Sequence, residues 1–222
     1  MKYSPDKNLL LQSETVISDL NNSLTPNIEE RLEVQDPATG NTLTSVPDLQ
    51  PHLVNELIEK AEDAGKKWAR VPSRQRSKIL HIAYLKLIEN KEKIALLITR
   101  EMGKPLNEAL GEVDYGADYV LWYAEEAVRA AGNYRENPNG GSTILTTRAP
   151  VGVSLLITPW NFPMAMATRK IAPALAAGCS VIIKPAALTP LTTYLVVKIF
   201  EEAGVPEGLI QVITTKNSSS LS

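Results

Sequence analysis

The sequence predicts an α/β protein, a Rossmann-like parallel-sheet unit preceded by amphipathic helices. Three observations predict it. Apolar strand-like runs at 151–158, 180–184 and 209–213 alternate with helix-like stretches, as in βαβ units whose strands are buried on both faces. Between residues 51 and 131 the apolar positions recur at helical spacing rather than at every second residue. With 44% hydrophobic and 22% charged residues among 222, the chain has the composition of a domain that buries a sizeable core.

Residues 1–30 are polar and aperiodic, with Asn21-Asn22-Ser23 and Pro26, and are predicted to form a weakly ordered leader. The domain itself is expected over 31–213. Leu32 and Val34 run into Asp36-Pro37-Ala38-Thr39-Gly40, which is turn chemistry, and Thr42–Val46 follows as the return strand of a hairpin. A helix from Pro51 turns Leu53, Leu57, Ile58, Ala61 and Ala64 inward and Glu56, Glu59, Lys60 and Glu62 to water. A second helix starts at Ser73, a good N-cap residue, and buries Ile79, Leu80, Ala83, Leu87 and Ile88. A third runs from Lys91 to Gly103, with Pro105 as its stop. A fourth, over 106–131, buries Ala109, Val113, Ala117, Val120, Leu121 and Ala124.

After a loop at Asn137-Pro138-Asn139-Gly140-Gly141, an arm strand is predicted at about 142–149. Then come the strand Val151–Thr158, the helix Met164–Ala176, the strand Ser180–Lys184, the helix Pro190–Ala203 and the strand Leu209–Ile213. Right-handed crossovers place both of these helices on one face of the sheet. Residues 214–222 are serine-rich, carry no core pattern and are expected to form a tail.

A formal net charge of −2 gives no electrostatic case for nucleic acid or an acidic membrane as partner. A single cysteine allows no internal disulfide and suits a reducing compartment. The first arginine is Arg31, and Asp6, Glu14 and Asp19 interrupt the first segment, so neither a secretory nor a transit pattern is present. No run approaches the ~18 apolar residues of a membrane span. A cytoplasmic location is expected.

Ligands bind open parallel sheets at the carboxyl ends of the strands. Two such ends are chemically unusual: Thr158-Pro159-Trp160-Asn161-Phe162-Pro163, and Lys184-Pro185-Ala186-Ala187. No G-x-G-x-x-G occurs. From the residues alone, this edge is a cleft with an amide and a lysine. Asn161 then reads as a helix cap, Lys184 as a snorkelling lysine or, from its place at a strand's carboxyl end, a ligand contact, Trp160 as packing or a ligand contact, and Arg169 as a locally paired surface arginine or an anion-binding one. Cys179 precedes the buried strand on its amino-terminal side, where a structural role is expected. His52 and His81 lack ligand partners at metal spacing, and Ser73–Lys78 reads as a solvated basic helix start. Tyr115, Tyr119, Trp122 and Tyr123 fall at helical spacing and read as core or subunit-contact residues.

The segments Ile157–Pro163, Lys170–Pro185, Leu188-Thr189-Pro190, Glu101-Met102-Gly103-Lys104-Pro105 and Glu202–Gly208 together resemble the aldehyde dehydrogenases, in the family's order, over about residues 32–213. The resemblance is strongest to succinate-semialdehyde dehydrogenases. It implies NAD- or NADP-dependent oxidation of an aldehyde to an acid, through a thiolate adduct, hydride transfer and thioester hydrolysis.

In that family the amide matching Asn161 donates to the oxyanion, a preorganised contact whose loss costs ~10²–10³ in rate. The resemblance implies a cofactor edge of Thr158, Pro159, Trp160, Lys184, Ala186 and Ala187, with Lys184 bonding the adenosine ribose. Many NAD-selective members carry a glutamate where this chain has Ala187. A neutral residue leaves room for a 2′-phosphate beside Lys184, so NADP is expected to be accepted. Arg169 matches the arginine that grips the distal carboxylate of succinate semialdehyde, a bidentate charge-assisted contact. The arm strand matches one that contributes to homo-oligomers. The family's nucleophilic cysteine, water-activating glutamate and phosphate-binding glycine loop fall beyond the position matching Ile213. The alternative expectation is therefore a truncated, non-catalytic chain limited to weak nucleotide binding or subunit association.

Overall fold

Residues 7–21 and 30–216 are described in this computed structural model. α1 (Lys7–Asn21) lies within the segment expected to be a weakly ordered leader, and it corrects that expectation. Val16, Ile17 and Leu20 are buried with Leu32, Val34, Val46, Leu97 and Leu191. The apolar stripe of this helix is short and interleaved with Gln12, Glu14 and Asp19, which hid its period.

β1 (Arg31–Gln35) and β2 (Thr42–Pro47) pair antiparallel, as the turn residues imply. Asp36 accepts the Ala38 amide on its own side chain at 2.8 Å, and Gly40 closes the turn at φ 74°. α2 (Pro51–Trp68), α3 (Ser73–Glu89), α4 (Lys91–Met102) and α5 (Leu106–Glu126) follow in order. Ser73 is the first residue of its helix and makes no side-chain cap. Ile58 and Ile88, expected inside, are exposed. α5 ends five residues earlier than read, because Asn133–Glu136 forms a strand, β3, that pairs with β4 (Thr143–Thr146). The arm is thus a two-stranded ribbon. All four β3 residues are exposed, so no burial pattern betrayed it.

β5 (Val153–Ile157), β6 (Ser180–Lys184) and β7 (Ile210–Val212) form the parallel sheet in that order. α6 (Pro163–Ala177) and α7 (Leu191–Glu202) are the two crossovers. Val181 and Ile183 join the core of α3 to α7, while Ile182 points the other way, onto Ala61 of α2. Both crossover helices therefore share one face, as predicted, and α2 covers the other. Gly65 lets α2 come this close: a Cβ there would stand 2.6 Å from Ser180 Oγ. The indole of Trp68 ties the same helix to α6 by donating to the Leu175 carbonyl at 2.9 Å. Thr214 and Thr215, read as the start of a tail, are buried. The Thr214 carbonyl accepts the Leu49 amide at 2.8 Å, and its hydroxyl bonds Pro47. Residues 217–222 of the expected tail lie outside the described residues.

Candidate active-site edge

The register pairs Ile157 with Lys184, so both chemically unusual segments leave the sheet side by side. The Thr158 amide donates to the Lys184 carbonyl at 3.1 Å, extending the ladder by one step. Beyond it the two loops meet: the Thr189 hydroxyl reaches the Trp160 carbonyl at 3.5 Å. Trp160, Ala187, Leu188 and Thr189 then line a cleft of about 300 Å³ together with Glu33, Pro37 and Glu101. Lys184 is half-buried, and its ammonium has no hydrogen-bond or ion-pair partner among the described residues. By strand alternation it shares the face of Ile182, over α2.

Two buried carboxylates set the loops. Glu112 of α5, 3% exposed, accepts the amides of Met164 at 2.9 Å and Ala165 at 3.3 Å through Oε1, which caps α6. Its Oε2 receives Lys104 Nζ at 2.5 Å. The same ammonium donates to the Asn161 carbonyl at 3.1 Å and lies 3.8 Å from the centre of the Phe162 ring. Glu101 of α4 does the matching work on α7, accepting the amides of Leu191 at 2.7 Å and Thr192 at 2.8 Å. Burial pushes the Glu101 carboxyl up to about 7, although the bonds from Thr192 and Leu191 pull the other way and Glu112 adds repulsion. Carboxylates suit this place because a helix amino terminus offers unpaired N–H groups and a positive field.

Asn161 itself is exposed, and its carboxamide has no partner among the described residues. The cap that its residue type suggested is supplied by Glu112 instead. Arg169 projects from the outer surface of α6. It touches Met166 Sδ at 3.7 Å and stacks over Tyr119, with 5.4 Å from guanidinium carbon to ring centre, and has no carboxylate partner among the described residues. Tyr119 shares a 2.5 Å hydroxyl contact with Tyr115. That hydrogen bond holds the Tyr119 phenol above its ordinary range, with Arg169 opposing. Tyr115 and Trp122 are exposed, whereas Tyr123 packs on the core.

The structure thus brings Trp160 and Ala187 into one cleft and lines Thr158, Pro159, Lys184 and Ala186 along the strand ends beside it. Arg169 stands apart from that cleft, further along α6. Cys179 is 3% exposed at the amino-terminal side of β6, opposite the ligand edge. Among the described residues no cluster of His, Cys, Asp or Glu could hold a metal, and no helix is long and apolar enough to cross a membrane. Sequence reasoning missed Lys104, Glu112 and the capping role of Glu101. A signal existed, since Glu112 falls in the buried stripe of Ala109, Val113 and Gly116. A charge at such a phase requires a buried partner.

A parallel βαβ sheet with two loops leaving adjacent strand ends beside a cleft defines an α/β fold whose candidate ligand edge is the carboxyl end of the strands. The aldehyde dehydrogenase family matches residues 24–221, and the chain belongs to it. It is 50% identical over 165 residues to a succinate-semialdehyde dehydrogenase of Paenarthrobacter nicotinovorans, covering 74% of this chain and 37% of that protein. It is 43% identical over 185 residues to a 3-sulfolactaldehyde dehydrogenase of Pseudomonas putida, covering 83% and 38%. The crystal structure of succinate-semialdehyde dehydrogenase from Burkholderia pseudomallei superposes with TM-score 0.84 at 39% identity, over 87% of this chain and 40% of that one. The chain therefore has the α/β fold of the family, in part, and spans well under half the length of these relatives.

Proposed function

We propose that these residues serve the NAD(P)-dependent oxidation of an aldehyde carrying an anionic group at its far end, with succinate semialdehyde going to succinate as the first choice. The observation that carries the reading is Arg169, a guanidinium without a carboxylate partner, on the helix that opens beside Asn161. Pro163 to Arg169 is six residues, or ~9 Å of helix axis, and a helical side chain slants back toward the amino terminus. That span suits a short chain with an aldehyde at one end and a carboxylate at the other. The relatives above, named for succinate semialdehyde and 3-sulfolactaldehyde, act on aldehydes whose other end is anionic.

In this reading Asn161 donates its free carboxamide to the oxygen that gains charge when a nucleophile adds to the aldehyde. Arg169 fixes the opposite end and Tyr119 supports its guanidinium. Thr158, Pro159, Trp160, Lys184, Ala186 and Ala187 hold the cofactor. The Lys184 ammonium at the end of β6, unpaired among the described residues, supports the reading, as a donor free for a ribose hydroxyl. The cofactor supplies the hydride acceptor when bound. NADP is accepted because Ala187 sets no carboxylate against a 2′-phosphate. The exposed β3–β4 ribbon, with Tyr134 and Leu145 outward, is read as a subunit contact.

A second reading is nucleotide binding or subunit association without turnover by these residues themselves, whose thiol, Cys179, is buried away from the edge. One experiment separates the two. The native polypeptide is captured with an antibody against residues 1–150, its mass is measured, and NADP reduction is followed with succinate semialdehyde and with hexanal. Turnover that prefers the semialdehyde supports the first reading; a 24.3 kDa species without turnover supports the second.

A further inference from the structure

We infer that Lys104 and Glu112 are a buried positioning pair for the Asn161 loop, an inference that rests on the reading of Asn161 as the donor. The contacts form one unbroken chain. Glu112 grips the first amides of α6 with one oxygen and Lys104 with the other. Lys104 in turn holds the carbonyl of Asn161 and lies over the ring of Phe162. Both charges are almost wholly buried, 3% and 7% exposed.

A buried ion pair is costly to desolvate and often no more stabilising than an apolar pair of the same shape. Its presence here therefore asks for a reason beyond stability, and the geometry supplies one. The loop at 158–162 is tied at its ends by the Thr158 amide on Lys184 and the Phe162 carbonyl on the Met166 amide, and the Trp160 carbonyl meets the Thr189 hydroxyl, so Lys104 is what holds the Asn161 carbonyl itself. Glu112 takes up the free amides of α6, so the helix end does not compete for the Asn161 carboxamide. Lys104 pins the Asn161 carbonyl inward, leaving the side chain to face solvent at the ligand edge. A donor to an oxyanion is effective only when held in place before the charge develops, and this pair holds the backbone that carries it.

The test uses the 222-residue chain and ¹⁵N NMR. Lys104→Met removes the bond to Asn161, while Glu112→Gln keeps an acceptor for the α6 amides and removes the charge that holds Lys104. The double variant carries neither charge, so it guards against misfolding from a lone buried ion. In each folded variant, order parameters at 160–162 are expected to fall from about 0.85 toward 0.6, and the Asn161 carboxamide resonance to shift. Met164 and Ala165 should keep their exchange protection in Lys104→Met. Unchanged signals at 160–162 in the folded double variant would overturn the inference, as would a loosening spread evenly over the whole sheet. Asn161→Ala, run alongside, should leave the order parameters at 160 and 162 unchanged. The role of Asn161 in turnover is judged separately, from the activity of the native polypeptide, so the two readings can fail independently.

Discussion

Glu101→Gln isolates one buried charge and its pH dependence. In the folded chain burial raises the Glu101 carboxyl from 4.5 to about 7. Between those values the folded state holds a proton that the unfolded chain has released. Stability from this group is therefore full below pH ~4.5 and is lost as pH rises through ~7. A shift from 4.5 to about 7, at ~1.4 kcal/mol per unit, amounts to on the order of 3 kcal/mol. Glutamine keeps an oxygen for the Leu191 or Thr192 amide but has no proton to lose. Urea unfolding followed by circular dichroism at half-unit steps from pH 4 to 8 gives the comparison. Relative to Glu101→Gln, the wild-type chain should lose about 3 kcal/mol across that window and then level off. Parallel curves for the two proteins would refute the assignment of a buried, ionisable cap to Glu101.

Other outcomes follow from the same geometry. Ala187→Glu sets a carboxylate in the cleft beside Trp160; at ~4 Å from a phosphate charge this costs on the order of 4 kcal/mol at an effective dielectric of 20. The ratio of NADP to NAD affinity, measured by calorimetric titration, should fall at least tenfold, and an unchanged ratio would remove Ala187 from the cofactor site. Cys179 should stay unreactive toward a disulfide reagent in the native chain and react fully in denaturant, because its thiol is buried. Equal rates in both states would contradict its placement.

The sheet was legible because its strands are short, apolar and separated by amphipathic helices, so Val181–Ile183 could be placed without knowing their neighbours. The roles proposed for Asn161, Arg169 and Lys184 rest on the family resemblance, since each residue taken alone also has a structural reading. What escaped depends on contacts distant in sequence. Glu101 meets the Leu191 amide 90 residues away, and Glu112 meets the Met164 amide 52 residues away. The phase of Glu112 on α5 marks it as buried, but neither residue's partner can be read from helical spacing. Thr214 misled for the opposite reason: its polar side chain suggested solvent, yet both its carbonyl and hydroxyl find partners near β2. α1 was hidden because its buried face spans only Ser13, Val16, Ile17 and Leu20.

The most direct test of the account is Arg169→Ala in the native polypeptide captured through residues 1–150, comparing kcat/KM for succinate semialdehyde and for hexanal. A charge-assisted contact of ~1.5–3 kcal/mol predicts that the semialdehyde loses about ten- to a hundredfold while hexanal changes little. An equal loss on both aldehydes, or no turnover by the native polypeptide, would contradict the assignment of Arg169 to the anionic end of the substrate.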